Sequence, residues 1–228
     1  MEGRLPDELA LAGREHVDPG AVAVYERKAR FDPEADLALL RRYGLGRDST
    51  VVDLGAGTGV FGFAAARVAR RVIAVDVSPA MADTWRSKWV ANVECVNAGF
   101  LTYEHAGEPA DFVYTRNALH HLPDFWKAVA LTRIASMLRP EGVLRLRDLV
   151  YSFEPSEADA VLEAWIASGG SDASAGWTRE ELRAHVRDEH STFGWILEGM
   201  LQRAGFDIEE ASYEDSKIYA GYVAIKRT

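Results

Sequence analysis

From Val51 onward, short apolar runs alternate with stretches of helix length. STVVDL (49–54), RVIAVDV (71–77), NVECVNA (92–98), ADFVYTR (110–116) and GVLRLRDLVY (142–151) read as strands by length and β-branched content. Between them GVFGFAAARVAR, SPAMADTWRSKWV and PDFWKAVALTRIASMLRP read as helices, the second with Pro79 near its first turn and the third stopped by Pro140. Strand and helix in alternation predict a mostly parallel sheet covered on both faces.

The texture changes after Tyr151. SEADAVLEAWIASGG carries Val161, Leu162, Trp165 and Ile166 on one stripe and stops at Gly169-Gly170. Thr178 and Glu181 form a capping box for the next short helix. Ser191 or Thr192 caps FGWILEGMLQRA, which Gly205 ends. FDIEEASY and KIYAGYVAIKR then read as an antiparallel pair that closes the sheet. Ahead of the first strand, VAVYERKARF places Val22, Tyr25 and Ala29 at helical spacing, and PEADLALLRRYG is a second helix ending at Gly44.

Composition narrows the function. Lys and Arg number 26 against 35 Asp and Glu, a formal charge of −9, and no basic run offsets it. Approach to a polyphosphate backbone is therefore disfavoured, and nucleic acid is not an expected partner. The single cysteine, Cys95, excludes an intrachain disulfide and a cysteine-built metal site. The polar, acidic opening lacks a signal-peptide core, and the apolar runs are too short to span a bilayer. A cytoplasmic protein without membrane partners, monomeric or homodimeric, is expected.

The stretch VVDLGAGTGVFG satisfies two glycine patterns. Gly57 to Gly62 reads as G-x-G-x-x-G, the dinucleotide fingerprint. Asp53 to Gly59 reads as D-x-G-x-G-x-G. A carboxylate at the strand end repels a pyrophosphate and suits an ammonium, directly or through water. The methionine part of S-adenosylmethionine carries an ammonium and a sulfonium, so Asp53 favours that ligand over NAD. Asp76, ending the second strand, is placed to accept from ribose hydroxyls, which both ligands contain.

VVDLGAGTG, AVDVSPAM, ALHHLPD and LRPEGVLRLRD, in this order and spacing, resemble a class I S-adenosylmethionine-dependent methyltransferase, of the small-molecule group with a Leu-His-His-Leu-Pro-Asp signature. The resemblance runs from about residue 36 to 150. It implies an α/β Rossmann-like fold with a seven-stranded, mostly parallel sheet, an antiparallel last strand and helices on both faces. It also implies one domain over 1–228: an N-terminal helical cap at 1–35, a donor-binding core at 36–151, a helical lid insertion at 152–190, and a terminal helix with the strand pair at 191–228. S-adenosylmethionine is the implied cofactor. Gly55, Ala56, Gly57 and Gly59 would contact its methionine part, Asp76 and Val77 its ribose, and Met81 its adenine. Arg116 and Asn117 lie where the family contacts the amino-acid portion, with side chains toward substrate. One position departs from the pattern. The family often has Asp after the third strand, facing the adenine amino group, where this chain has Gly99; backbone around Gly99 and Phe100, or Asn97, would take over.

Methyl transfer from a sulfonium needs alignment and often a base for the acceptor's proton. Titration near neutrality points to histidine, here His120 and His121. If the fourth and fifth strands are neighbours, Asp148 at the end of the fifth can orient one of these imidazoles; the plainer alternative pairs Asp148 with Arg145 or Arg147. Arg147 could instead hold an acidic substrate group, and Tyr25 and Phe31 are either substrate contacts or core aromatics. Trp165, Trp177, Phe193 and Trp195 are core or the lining of an apolar acceptor pocket. His185 and His190 read as solvated. No recognised spacing of ligands supports a metal, and none is expected. The reading is a methyltransferase for a small-molecule acceptor at O or N. Its rivals are a non-catalytic donor-binding regulator and an NAD-dependent oxidoreductase.

Overall fold

A computed structural model describes residues 3–13, 22, 31–86, 90–173 and 176–228 of the chain. Five strands run parallel: β1 (Thr50–Leu54), β2 (Arg71–Asp76), β3 (Val93–Asn97), β4 (Ala110–Arg116) and β5 (Leu138–Tyr151). A two-residue strand, β6 (Thr192–Phe193), pairs with the end of β5. The chain ends in β7 (Phe206–Tyr213) and β8 (Tyr219–Lys226), and the sheet order is β3-β2-β1-β4-β5-β8-β7. β8 lies between β5 and β7 and is antiparallel to both, so the reversed last strand and the closing pair match expectation.

β1 is buried along its whole length, as parallel strands covered on both faces require. The helices Val60–Ala65, Pro79–Arg86 and Asp124–Met137 follow β1, β2 and β4. One core cluster joins Val52, Leu54, Ile73, Val113, Leu144 and Leu146 to Leu131 and Ile134 of the helix after β4. A second sets Leu37, Leu40, Phe61 and Ala65 against Val51, Val72, Phe112 and Tyr114. This second face holds a polar knot. Asp36 accepts from Tyr114 Oη at 2.8 Å and from Arg145 Nε at 2.9 Å, with Arg145 Nη2 also at 2.9 Å. The knot ties the helix Glu34–Arg42 to β4 and β5, and the Asp36 Oδ1 that faces two of its nitrogens is why Arg145 can sit in a sheet interior.

Two local expectations are corrected. The helix after β4 ends at Met137, not at Pro140, because β5 begins at Leu138 and carries the proline; Glu141 there has a positive φ of 59°. Neither Ser191 nor Thr192 caps the helix Gly194–Arg203, whose first-turn neighbour is Phe193, with no side-chain cap; Thr192 is drawn into β6 and bonds Asp124 at 3.1 Å. The expected helix around Tyr25 lies outside the described residues. The Thr178–Glu181 capping box is present. Among the described residues no helix is long and apolar enough to cross a membrane.

Asp36→Ala leaves the buried Arg145 guanidinium and Tyr114 hydroxyl without their acceptor. The expected loss is about 3–5 kcal/mol in chemical denaturation, with the unfolding midpoint lowered and its slope unchanged.

Candidate functional site

Strand order reverses between β1 and β4, so the loops leaving their carboxyl ends diverge and open a crevice. Here lies a cleft open to solvent. Its wall includes Gly55, Gly57, Asp76, Val77, Met81, Gly99, Phe100 and Asn117 from the predicted donor contacts, together with Arg116 and His121. Gly55 has φ 71°, and a Cβ there would overlap that of Ala118, so the two loops meet only because residue 55 has no side chain. Asp76 accepts from Gly57 N at 2.7 Å through one oxygen and from Ser78 N at 2.8 Å through the other. Burial pushes its carboxyl up, and these two amides oppose the rise. Each oxygen keeps a second lone pair for a hydroxyl in the cavity.

Three predicted donor contacts are not on this wall. Asp53 is 2 % exposed and sits beneath the loop, where its Oδ2 has no hydrogen-bond partner. A Cβ at Gly62 would stand 3.1 Å from that oxygen and 3.6 Å from Val72, so the last glycine of the G-x-G-x-x-G pattern seats the helix on the sheet. Burial lifts the Asp53 carboxyl to about 8; the Gly62 amide lowers it and the Asp76 charge adds to the rise. Ala56 packs with Ala74, Ala82 and Trp85. Gly59 takes a left-handed turn against Phe63 and Trp85 and starts the helix.

A residue from far outside the motifs completes the wall. Glu8 opens the short helix Glu8–Leu11 and places its carboxylate against Gly99, where any Cβ would overlap it. It accepts from Leu101 N at 3.1 and 3.2 Å and from Thr102 Oγ1 at 3.1 Å. Burial raises its pKa against these donors.

On the other side of the β4 exit, the turn Leu119–His121 faces a second cavity under the helices Ala158–Ala167 and Arg179–Asp188. This larger space, open to solvent, is lined by His120, His121, Trp165, Trp177, Leu182, His185, Glu189 and Tyr219, among others. Asn117 and His121 line both cavities. The structure joins His120 to Asp148: Nδ1 lies 2.5 Å from Oδ1, while the His120 amide donates to Oδ2 at 3.1 Å. The Arg145 and Arg147 pairings for Asp148 are not formed. On its other side His120 Nε2 is 2.7 Å from Glu189 Oε2. Burial pulls the imidazolium down, but Asp148 and then Glu189 outweigh it and hold the pKa at about 9.

His185 is not solvated. Its side chain is 12 % exposed, with Nδ1 2.9 Å from the same Glu189 oxygen and Nε2 3.0 Å from Ser191 Oγ. Arg147 stays off both walls: it lies over the Tyr219 ring at 4.2 Å and donates to Asn117 Oδ1 and Glu214. Arg116 lies over Phe31 at 4.3 Å, and Tyr25 is outside the described residues. Of the four aromatics in the C-terminal part, Trp165 and Trp177 line the second cavity, Phe193 packs on Tyr151 and Phe153, and Trp195 is 66 % exposed.

A family model described as a methyltransferase domain matches residues 51–142, the segment from β1 into β5 that supplies most of the loops around the first cavity. The chain carries a class I S-adenosylmethionine-dependent methyltransferase domain. S-adenosylmethionine is its methyl donor. An uncharacterized methyltransferase of Geobacillus kaustophilus is 24 % identical over 166 residues, 67 % of this chain and 77 % of that one. In fold the methyltransferase is similar to an S-adenosylmethionine-dependent methyltransferase from Mesorhizobium loti, with TM-score 0.62, 18 % identity and coverage of 84 % and 98 % of the two chains. It is also similar to magnesium protoporphyrin IX methyltransferase from Synechocystis, solved with bound donor, with TM-score 0.64, 14 % identity and coverage of 99 % and 100 %.

Sequence reasoning missed Glu8, His185 and Glu189 in this domain, because no short motif marks them. The buried Asp53 carries a stability cost with a defined sign. Its folded pKa is raised, so the folded state holds a proton that the unfolded chain releases above about 4. Stability therefore falls as pH rises from about 4 to about 8 through this group, then levels off. Asp53→Asn removes the ionisation. Thermal melts are expected to show the variant gaining on the wild type more at pH 8.5 than at pH 5.

Proposed function

We propose that this chain transfers a methyl group from S-adenosylmethionine to a small molecule held under a helical lid, residues 152–190. The observation that carries the reading is the shared wall: a donor-type cavity and a lid cavity meet at Asn117 and His121. Where the two spaces meet at these residues, an acceptor atom can be brought into line with the donor's methyl and sulfur.

The residues fit the donor. The free lone pairs of Asp76 accept from the ribose hydroxyls, and Met81 and Phe100 give adenine an apolar slot. The Glu8 carboxylate, seated beside Gly99, takes the adenine amino group in place of an aspartate after β3. The backbone of Gly55 and Gly57 admits the methionine part closely. The donor brings an activated methyl on its sulfonium, so the chain contributes alignment, desolvation and an outlet for the acceptor's proton.

On the acceptor side, Trp165, Trp177 and Tyr219 suit a flat, partly apolar body, and the net charge of −9 disfavours a polyanion. His120 Nδ1 is held by Asp148 and its Nε2 faces the Glu189 carboxylate, so His120 is not the base. That role falls to His121, the histidine on both walls, acting on an oxygen or nitrogen nucleophile.

Calorimetry with S-adenosylmethionine and S-adenosylhomocysteine tests the donor half; no binding at millimolar concentration sinks it. Glu8→Ala is expected to weaken both ligands about tenfold or more, the worth of a hydrogen bond to a charged group. Gly99→Asp added to Glu8→Ala should recover much of that loss, which a merely structural Glu8 would not permit. Once an acceptor is found in a panel, His121→Ala should lower kcat about 10²–10⁴-fold with donor affinity nearly unchanged. Full activity in that variant removes His121 as base.

A further inference from the structure

We propose that His120, His185 and Glu189 form a binding site for one divalent transition-metal ion on the wall of the lid cavity. One ligand atom from each residue, two imidazole nitrogens and a carboxylate oxygen, lies within 4.8 Å of the others. Metal–ligand bonds near 2.0–2.2 Å put the ligands of one ion about 3 Å apart, and His120 Nε2 and His185 Nδ1 stand 2.7 and 2.9 Å from Glu189 Oε2.

The alternative is a proton-mediated ion-pair cluster. It accounts poorly for Oε2, which has no hydrogen-bond donor of adequate geometry despite two nitrogens within 3 Å. A third nitrogen, His121 Nδ1, lies 3.5 Å from the same oxygen.

The outer groups argue the same way. A metal-bound histidine usually gives its other ring nitrogen to a carboxylate or hydroxyl, which fixes the ring and its tautomer. His120 Nδ1 is held by Asp148 at 2.5 Å and His185 Nε2 by Ser191 Oγ at 3.0 Å. Each of the two imidazoles thus turns one nitrogen to an anchor and the other to the common point. Two buried or half-buried carboxylates, Asp148 and Glu189, supply the negative charge that offsets a dication. The N,N,O donor set suits Zn²⁺, Fe²⁺ or Co²⁺ over Mg²⁺ or Ca²⁺. Three protein ligands leave coordination positions open, and these face the cavity lined by Trp165 and Tyr219. A bound ion would therefore present itself to an acceptor oxygen or nitrogen and lower the pKa of that group.

The test uses the full chain, stripped with chelator, and Co²⁺ and Zn²⁺ alone as probes, without donor or acceptor. The wild type should retain about one Co²⁺ per chain after gel filtration, develop a visible d–d band, and melt at a higher temperature with either metal. His185→Ala and Glu189→Gln should lose the band and the thermal shift, and Asp148→Asn should bind about 10–100-fold more weakly. Circular dichroism of the metal-free variants checks that each is folded; where His185→Ala is not, Glu189→Gln, which keeps the shape of the side chain, decides. Absence of binding by the folded wild type at micromolar metal overturns the proposal. So does retention of wild-type affinity in Glu189→Gln, which would mean adventitious metal only. The readouts need no methyl transfer, so failure here leaves the methyltransferase reading standing, and failure of donor binding leaves this one.

Discussion

The bond between His120 and Asp148 holds the functional end of the molecule together. Parallel pairing of β4 and β5 brings their carboxyl ends side by side, and Asp148 uses that proximity fully. One oxygen receives the His120 amide; the other receives both the His120 ring and the Leu149 amide. Burial pushes the Asp148 carboxyl up, but the imidazolium outweighs it and keeps the group ionised. A charge pair this deep costs desolvation, so its value lies in geometry: the turn Leu119–His121 has one arrangement, and that turn is the partition between the two cavities.

The same partition receives the insertion. His190 N donates to His120 O at 3.1 Å, Lys127 donates to His190 O, and Thr192 enters the sheet as β6. Lys127 is 2 % exposed, and burial lowers its pKa against the pull of Asp124. The C-terminal end of the insertion is therefore part of the core. At its remote end Gly170 pairs with Thr178, its amide donating to Trp177 O at 2.9 Å and its carbonyl accepting from Arg179 N at 3.1 Å.

The fold was legible because its signals are local. Apolar runs of strand length, the glycine loop and an aspartate at the end of β2 are all contained in a few residues, and the helices after β1, β2 and β4 make the strands they join parallel. The His120–Asp148 pair was legible one step further out, since it needs only β4 and β5 to be neighbours. Glu8 and Glu189 were not legible. Glu8 meets its partner 93 residues away, in a helix of four residues with no motif of its own. Glu189 closes a helix whose polar end looked like solvent-facing sequence until His120 was set opposite it. Asp53 is a different case: its place at the strand end is as expected, and its side chain is covered because Gly62 lets the helix sit low.

Gly99 and Glu8 also bear on how sequences of this kind should be compared. A side chain at 99 and a glutamate at 8 claim the same volume, so the two positions are one site with two addresses. A chain that inherits an acid at the second address has no use for one at the first, and loss of either alone empties the space. An alignment column inspected singly would report a missing carboxylate here. Read as a pair, the two positions describe one carboxylate beside the end of β3, supplied here from a helix more than ninety residues away in the chain.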